Sequence, residues 1–221
     1  YGGYGHVSFP NEQWPKGGRV CMVRSSDEGR TWTEPRVIYD DDQDNRDPHI
    51  AQLKDGTLVC SFFRYWRIEG KTHYVSMITR STDGGATWEP EGQPVTPEMW
   101  AVSAPVRELP DGTLILGVYS SESYGGIVRS TDHGKTWCAP IPIGKEAKLP
   151  LDAETDFVLL KDGTLYAALR SSKINMHYAT SPDLGLTWSP VQDIGFKAHA
   201  PHFTRLSTGE ILMTHRIPQT A

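Results

Sequence analysis

The sequence predicts an all-β protein and, more closely, a β-propeller. Three observations carry this prediction: an octapeptide recurs four times, an Asp-Gly turn pattern alternates with it, and turn-forming residues are scattered between short apolar runs. The 21 Gly and 16 Pro among 221 residues indicate many tight turns, which suit short strands. The hydrophobic fraction of 38% and charged fraction of 22% are typical of a folded globular domain.

The octapeptide has the pattern Ser-x-Asp-x-Gly-x-Thr-Trp, called here the Asp box. Its copies occupy residues 25–32, 81–88, 130–137 and 181–188, with starts 56, 49 and 51 residues apart. Asp and Ser side chains bond nearby backbone N–H groups in turns, Gly permits a positive φ, and Trp can pack beneath the turn as an apolar anchor. We therefore expect a stapled turn between two strands. One carboxylate per box is too few for a calcium loop.

A second pattern lies between the boxes and places Asp-Gly, at residues 55–56, 111–112 and 162–163, between two apolar runs; Thr208-Gly209 is a fourth, altered copy. Asp-Gly between strand-like runs is a strong hairpin signal. The distance from hairpin Gly to box Trp is 25 residues in the second and third copies but 32 in the first. The first copy therefore carries an insertion, around residues 67–71.

Each repeat thus contains about four short strands: two around the Asp-Gly turn and two around the box. A four-stranded unit of about 50 residues, repeated radially, is typical of a propeller blade. The chain opens within one blade, contains three whole repeats and stops inside another, giving about four blades in a single partial domain over residues 1–221. Because a propeller closes on itself to cover its strand edges, we expect a fragment.

Composition argues against several classes of partner. The net charge is −5 and no cluster of basic residues stands out, so nucleic acid is not expected. No apolar stretch approaches the ~20 residues of a membrane span. The three cysteines have no CxxC spacing, so no zinc site or other metal or cofactor is expected. The acidic run at residues 40–44 predicts a solvated loop.

Asp boxes at this period resemble the sialidase (neuraminidase) superfamily over nearly the whole chain. The resemblance implies a six-bladed propeller and an exo-acting glycoside hydrolase that releases terminal sialic acid from glycans. It implies a glycan partner with an acidic terminal sugar, and a secreted or periplasmic location. The boxes are evidence of fold alone, because unrelated functions share them.

Function is sought where the repeats differ. Nine residues before each hairpin Gly stand Asp47, Ser103, Glu154 and Ala200, and seven residues after it stand Phe63, Tyr119, Arg170 and Arg216. These positions are predicted to meet at the end of the blades where ligands bind.

Residues 154–170 resemble the sialidase segment that carries a catalytic Glu and one Arg of the carboxylate-binding triad. The resemblance implies that Glu154 is the base activating a Tyr nucleophile, and that Arg170 binds the sugar carboxylate through its paired donors. The competing interpretation is a salt bridge between neighbouring strands.

Further candidates lie at related positions. Arg46-Asp47-Pro48 resembles the family's second blade, so Arg46 is predicted to contact substrate and Asp47 to be a second catalytic candidate. Arg216, equivalent to Arg170, is a candidate carboxylate contact. The rest of the family's catalytic set, including the nucleophilic Tyr, is expected outside this segment, because Tyr119 lies in the wrong repeat. The histidines at the strand starts are predicted to be structural or rim residues: His49, His199 and His202.

Three functions remain open on the sequence. The first is the exo-sialidase. The second is a non-catalytic propeller that binds a glycan or a protein and needs neither the nucleophile nor the arginines. The third is a related enzyme acting on another acidic sugar, such as a uronic acid, because an arginine cluster serves any carboxylate.

Overall fold

A computed structural model describes residues 17–217 as five successive antiparallel sheets. The first is a two-stranded sheet of β1 (Val20–Met22) and β2 (Arg36–Tyr39). The second has four strands: β3 (Asp44–Gln52), β4 (Leu58–Ile68), β5 (Lys71–Ser81) and β6 (Gln93–Pro94). The third contains five, β7 (Trp100–Val102), β8 (Arg107–Glu108), β9 (Leu114–Ser120), β10 (Gly125–Ser130) and β11 (Ile141–Ile143), with β7 and β8 both paired to β9.

The fourth sheet contains β12 (Thr155–Leu159), β13 (Leu165–Leu169), β14 (His177–Ser181) and β15 (Gln192–Asp193). The last is a hairpin of β16 (His199–Arg205) and β17 (Ile211–Arg216). Among these residues the only helical segment is a 3-10 turn at Lys145–Ala147, and no helix of the described chain is long and apolar enough to cross a membrane. The predicted all-β architecture of repeated sheets is confirmed; the number of blades in the closed ring stays a prediction.

Adjacent sheets pack face to face around apolar side chains. Ile115 of β9, Phe157 of β12 and Leu165 of β13 are fully buried in one cluster between the third and fourth sheets. A second cluster joins the second and third sheets and includes Ile78 and Leu116. These clusters hold the strand ends of neighbouring sheets in fixed positions, which is what a site built from several sheets requires.

Each Asp box joins two successive strands of one sheet, as predicted: β1 and β2, β5 and β6, β10 and β11, and β14 and β15. In the third box, Asp132 Oδ1 accepts hydrogen bonds from Ser130 Oγ at 2.8 Å and Thr136 N at 2.9 Å, and Oδ2 accepts one from Thr136 Oγ1 at 2.6 Å. The other boxes repeat these bonds. Trp137 packs on the core. Trp32 departs from the predicted anchor and is 60% exposed, whereas Trp88, Trp137 and Trp188 each pack on the cluster between their own sheet and the preceding one.

The predicted insertion lengthens one hairpin. Strands β4 and β5 have eleven residues each and stay paired up to Ile68 and Lys71. Glu69 and Gly70 close the turn, both with positive φ, as a tight two-residue hairpin turn requires. Beyond Phe63, β4 continues for five residues, roughly 16 Å at about 3.3 Å per residue, so this hairpin rises above the neighbouring sheets.

The prediction of a solvated acidic loop at residues 40–44 is wrong for its last member. Asp44 begins β3 and is 2% exposed. Its Oδ1 accepts a hydrogen bond from Gly18 N at 2.7 Å, and its Oδ2 accepts one from Arg46 Nε at 2.7 Å. A buried carboxylate is retained where such partners replace water, and these partners are not visible in a run of like charges.

Candidate functional site

One cavity of about 620 Å³ lies at the end of the sheets where the strand before each hairpin Gly begins and the strand after it ends. It lies at the opposite end of the strands from the Asp boxes, because each box follows a strand that runs away from the cavity. All eight positions singled out by comparing the repeats line it; they are Asp47, Phe63, Ser103, Tyr119, Glu154, Arg170, Ala200 and Arg216. The five predicted site residues, including Arg46, are therefore brought together from three sheets, with Ser103 and Tyr119 contributed by a fourth.

Glu154 and Arg170 form an ion pair at the start of β12 and the end of β13. Arg170 Nη1 donates to both carboxylate oxygens of Glu154, at 2.5 Å to Oε2, and Arg170 N donates to Glu154 O at 3.0 Å. The Arg170 side chain is 16% exposed and the Glu154 side chain 14% exposed. Arg170 Nε is buried without a hydrogen-bond partner. The salt bridge expected from the competing interpretation is thus present, within the cavity that a ligand would enter.

Arg46 and Asp47 lie in a β-bulge of β3, where the register shifts between Arg46 and His49. Asp47 has φ 50, which turns its carboxylate to accept a hydrogen bond from Ser103 Oγ at 2.9 Å. The Arg46 guanidinium contacts Asp44 Oδ2 at 2.5 Å and lies 4.1 Å from the centre of the Tyr65 ring. Arg46 therefore lines the cavity, but its guanidinium is engaged by Asp44 and Tyr65. Its position in the sequence did not indicate these contacts.

Arg216 ends β17 and is exposed. Its Nη2 lies 3.4 Å from His199 Nδ1. Burial lowers the pKa of His199, and the charges of Arg170 and Arg216 lower it further, so this imidazole lies in the field of both guanidinium groups. Arg170 and Arg216 place two guanidinium groups on this side of the cavity, which suits a carboxylate ligand, and the lowered pKa keeps the adjacent His199 neutral near neutral pH.

The comparison of repeats predicted that Ser103 and Tyr119 lie at this cavity but assigned neither a role in it. Burial raises the pKa of the Tyr119 phenol, and the nearby carboxylates of Asp47 and Glu154 raise it further. The phenol is therefore neutral and a poor nucleophile, but it remains a hydrogen-bonding group inside the cavity. The signal was available, because Ser103 and Tyr119 occupy the repeat positions equivalent to Glu154 and Arg170.

A buried ion pair lies beneath the cavity and was not predicted from the sequence. Asp156 of β12 has no exposed surface and accepts hydrogen bonds from Arg107 Nη2 at 2.7 Å and from Phe203 N at 2.7 Å. Arg107 Nη2 also donates to Phe203 O at 2.8 Å. These contacts tie β8, β12 and β16 together over sequence separations of 47 to 96 residues, so no local pattern could have indicated them.

Two imidazoles cover this ion pair. The His49 and His202 rings are stacked with centres 6.2 Å apart and planes inclined by 18°, and His202 Nδ1 lies 3.6 Å from Asp156 Oδ2. Both histidines line the cavity. Between residues 17 and 217, no group of three or more His, Cys, Asp or Glu side chains is arranged to hold a metal ion.

Comparisons with known proteins agree with this fold. The family model of the BNR repeat-like domain matches residues 19–221. A curated sialidase of Bacteroides fragilis is 27% identical over 201 residues, which cover 83% of this chain and 36% of the relative. The chain thus spans about a third of the length of that relative.

Solved structures give the same result. A protein of unknown function from Dyadobacter fermentans superposes with a TM-score of 0.76 at 24% identity, covering 96% of this chain and 66% of that one. A Hadza microbial sialidase superposes with a TM-score of 0.69 at 19% identity, covering 89% of this chain and 46% of that one. Likeness at these identities establishes the fold.

Proposed function

We propose, from the membership of this chain in the BNR repeat-like domain family and from its sialidase-like fold, that it belongs to an exo-sialidase-like glycoside hydrolase. In this proposal the chain forms the part of the enzyme that binds the acidic sugar. The substrate is a glycan that ends in sialic acid, and the reaction releases that sugar. The proposal includes a secreted or periplasmic location, where such glycans are met.

One observation carries the proposal: a single cavity holds Glu154, Arg170 and Arg216. Sialic acid bears a carboxylate on its anomeric carbon, and guanidinium groups bind carboxylates with charge-assisted hydrogen bonds. Arg216 is exposed and has one long contact of 3.4 Å to His199, so its donors can turn to a ligand. Arg46 is engaged by Asp44, and we assign it a supporting part in the cavity wall.

The ion pair between Glu154 and Arg170 gives the cavity a way to respond to substrate. A bound carboxylate competes with Glu154 for the donors of Arg170, and a Glu154 oxygen released in this way can accept a proton. In the proposed reaction that proton comes from a Tyr hydroxyl, whose oxygen bonds to the anomeric carbon as the glycosidic bond breaks. The departing aglycone oxygen takes a proton from a general acid, and water then hydrolyses the tyrosyl-glycoside to release the sugar and regenerate the Tyr hydroxyl. Tyr119 does not fit the nucleophile, because burial, together with the carboxylates of Asp47 and Glu154, raises its pKa; the proposed nucleophile is a different Tyr.

The test is hydrolysis of a fluorogenic sialoside by the complete gene product. Glu154→Gln keeps the shape of the side chain but removes its basicity, so we expect a loss of about 10²- to 10⁴-fold in kcat. The matched control is Glu146→Gln, an exposed position in the 3-10 turn, which should leave kcat unchanged. Absence of hydrolysis, or full activity of Glu154→Gln, contradicts the proposal.

A second candidate is a propeller that binds acidic glycans without cleaving them. The observation in its favour is that Arg170 Nη1 donates to both oxygens of Glu154, so that Glu154 is engaged and is not available as the base in the ligand-free cavity. The two candidates separate in one experiment: a non-catalytic protein binds sialic acid but gives no turnover, and Glu154→Gln then preserves or strengthens binding. Parallel titration with glucuronic acid distinguishes sialic acid from other acidic sugars.

A further inference from the structure

The floor of the cavity is built from two histidines that the proposed reaction does not use. His49 comes from β3 and His202 from β16, so the pair spans the first strands of the second and fifth sheets. Their rings are stacked at 6.2 Å. Another cavity, of about 500 Å³, continues along the first strands and shares His202 in its lining. His202 therefore lies between the two cavities, with His49 beside it in the lining of the first.

Charged groups face this pair from every side. Asp156 of β12 lies beneath it, 3.6 Å from His202, and its charge is shared with Arg107 of β8. Asp47, on the same strand as His49, adds a second carboxylate, and the Arg107 cation opposes it. Asp156 is already bound by Arg107 and by the backbone N–H of Phe203, so its charge is partly offset where it faces the imidazoles.

The free protein keeps His49 neutral near neutral pH. Burial lowers the pKa of His49, and the proximity of His202 lowers it further, against a smaller opposing effect of Asp156. A ligand carboxylate placed in the same cavity adds negative charge and therefore favours an imidazolium beneath it. Because two imidazoliums at this separation repel each other, the pair accepts one proton rather than two.

We propose that His49 and His202 form a proton-binding floor, and that the cavity takes up one proton when it binds an acidic sugar. This inference rests on the proposed function only in requiring a ligand with a carboxylate. It explains why two stacked imidazoles, backed by a fully buried carboxylate, lie where a nonpolar floor would also have closed the cavity.

The sign of the pH dependence follows from linkage. The ligand raises the pKa of the floor, so its affinity is fully strengthened below the pKa of the free protein. The gain is lost as the pH rises through the pKa of the complex. Uptake of one proton corresponds to a change in Kd of up to about tenfold per pH unit between those two values. The window begins below the ordinary His value of 6.5, because the pKa of His49 is lowered in the free protein.

The experiment is calorimetric titration of the complete gene product with N-acetylneuraminic acid, in buffers of different ionisation enthalpy, between about pH 5 and pH 8. The dependence of the observed heat on the buffer gives the number of protons taken up. We expect a maximum approaching one proton at mildly acidic pH and none near pH 8. The double variant His49→Gln/His202→Gln should abolish the uptake. His133→Asn, at the tip of an Asp box at the opposite end of the strands, is the matched control and should retain it.

A second measurement avoids the variants. Histidine ring resonances of the unaltered protein, titrated with and without the sugar, should show one or both floor imidazoles titrating at higher pH in the complex. Binding without proton uptake overturns this inference and leaves the proposed function standing. Uptake that survives in the double variant also overturns it, because another group then takes the proton. Failure to bind any acidic sugar overturns both.

Discussion

Asp156→Ala tests the physical account of how the sheets are held around the cavity. Asp156 is fully buried, and the Arg107 side chain is 24% exposed. The substitution removes two hydrogen bonds from Arg107, at 2.7 and 3.2 Å, and the acceptor of Phe203 N. It leaves a largely buried guanidinium without its counter-ion, and removing one partner of a buried pair costs about 3–5 kcal/mol.

That loss is large compared with a typical free energy of unfolding of about 5–15 kcal/mol. Urea unfolding of the complete gene product should therefore show a lower midpoint for Asp156→Ala. Asp156→Asn, which keeps an acceptor for one of these donors, should fall between this variant and the unaltered protein. The control is Glu122→Ala, which removes an exposed ion pair of 3.8 Å to Lys145 and should change stability by less than about 1 kcal/mol. If Asp156→Ala unfolds within that same margin of the unaltered protein, the tie between β8, β12 and β16 is not what holds the first strands together.

Three further predictions concern packing, binding and acid stability. Gly117→Ala should destabilise by about 1–3 kcal/mol or more in thermal melts, because its Cβ would overlap a backbone carbonyl oxygen of β12; an unchanged Tm contradicts this. Arg216→Ala should weaken binding of N-acetylneuraminic acid about 10- to 100-fold, from the loss of charge-assisted hydrogen bonds, while Arg30→Ala, in a box far from the cavity, should leave Kd unchanged. Hydrogen bonds from Thr187 lower the pKa of Asp183 to about 2. The ionised carboxylate therefore stabilises the fold at pH values above its ordinary pKa of 3.8, and this stabilisation is lost as the pH falls towards 2. Asp183→Asn should make Tm depend less on pH over that range.

The parts of the fold that could be predicted from sequence are local. Each Asp box forms its hydrogen bonds within seven consecutive residues, as Asp132 does with Ser130 and Thr136. Its structure can therefore be predicted from a short stretch of sequence. The Asp-Gly hairpins are equally local, and the spacing of 32 rather than 25 residues located the longer hairpin of β4 and β5. Because the repeats are in register, equivalent positions also identified which residues line the cavity.

What sequence could not supply is which charged side chains pair, either along one strand or across sheets. Arg46 was predicted to face a ligand, but the acidic run that precedes it contains its partner Asp44. Asp156 lies two residues after Glu154 and was not singled out, because its partner Arg107 is 49 residues away. Such contacts depend on which rotamers the packed sheets permit, and a repeat pattern places residues at strand ends without specifying their side-chain directions.

The location of the Asp boxes has a consequence for how such proteins change over evolution. In the second, third and fourth sheets an Asp box lies at one end and two chemically variable positions lie at the other, such as Ser103 and Tyr119 in the third and Glu154 and Arg170 in the fourth. Replacing residues at the variable end leaves the hydrogen-bonded turns of the boxes intact. The scaffold can therefore be redirected towards a new ligand by a handful of substitutions, and a protein engineer could exchange these pairs between sheets as interchangeable parts.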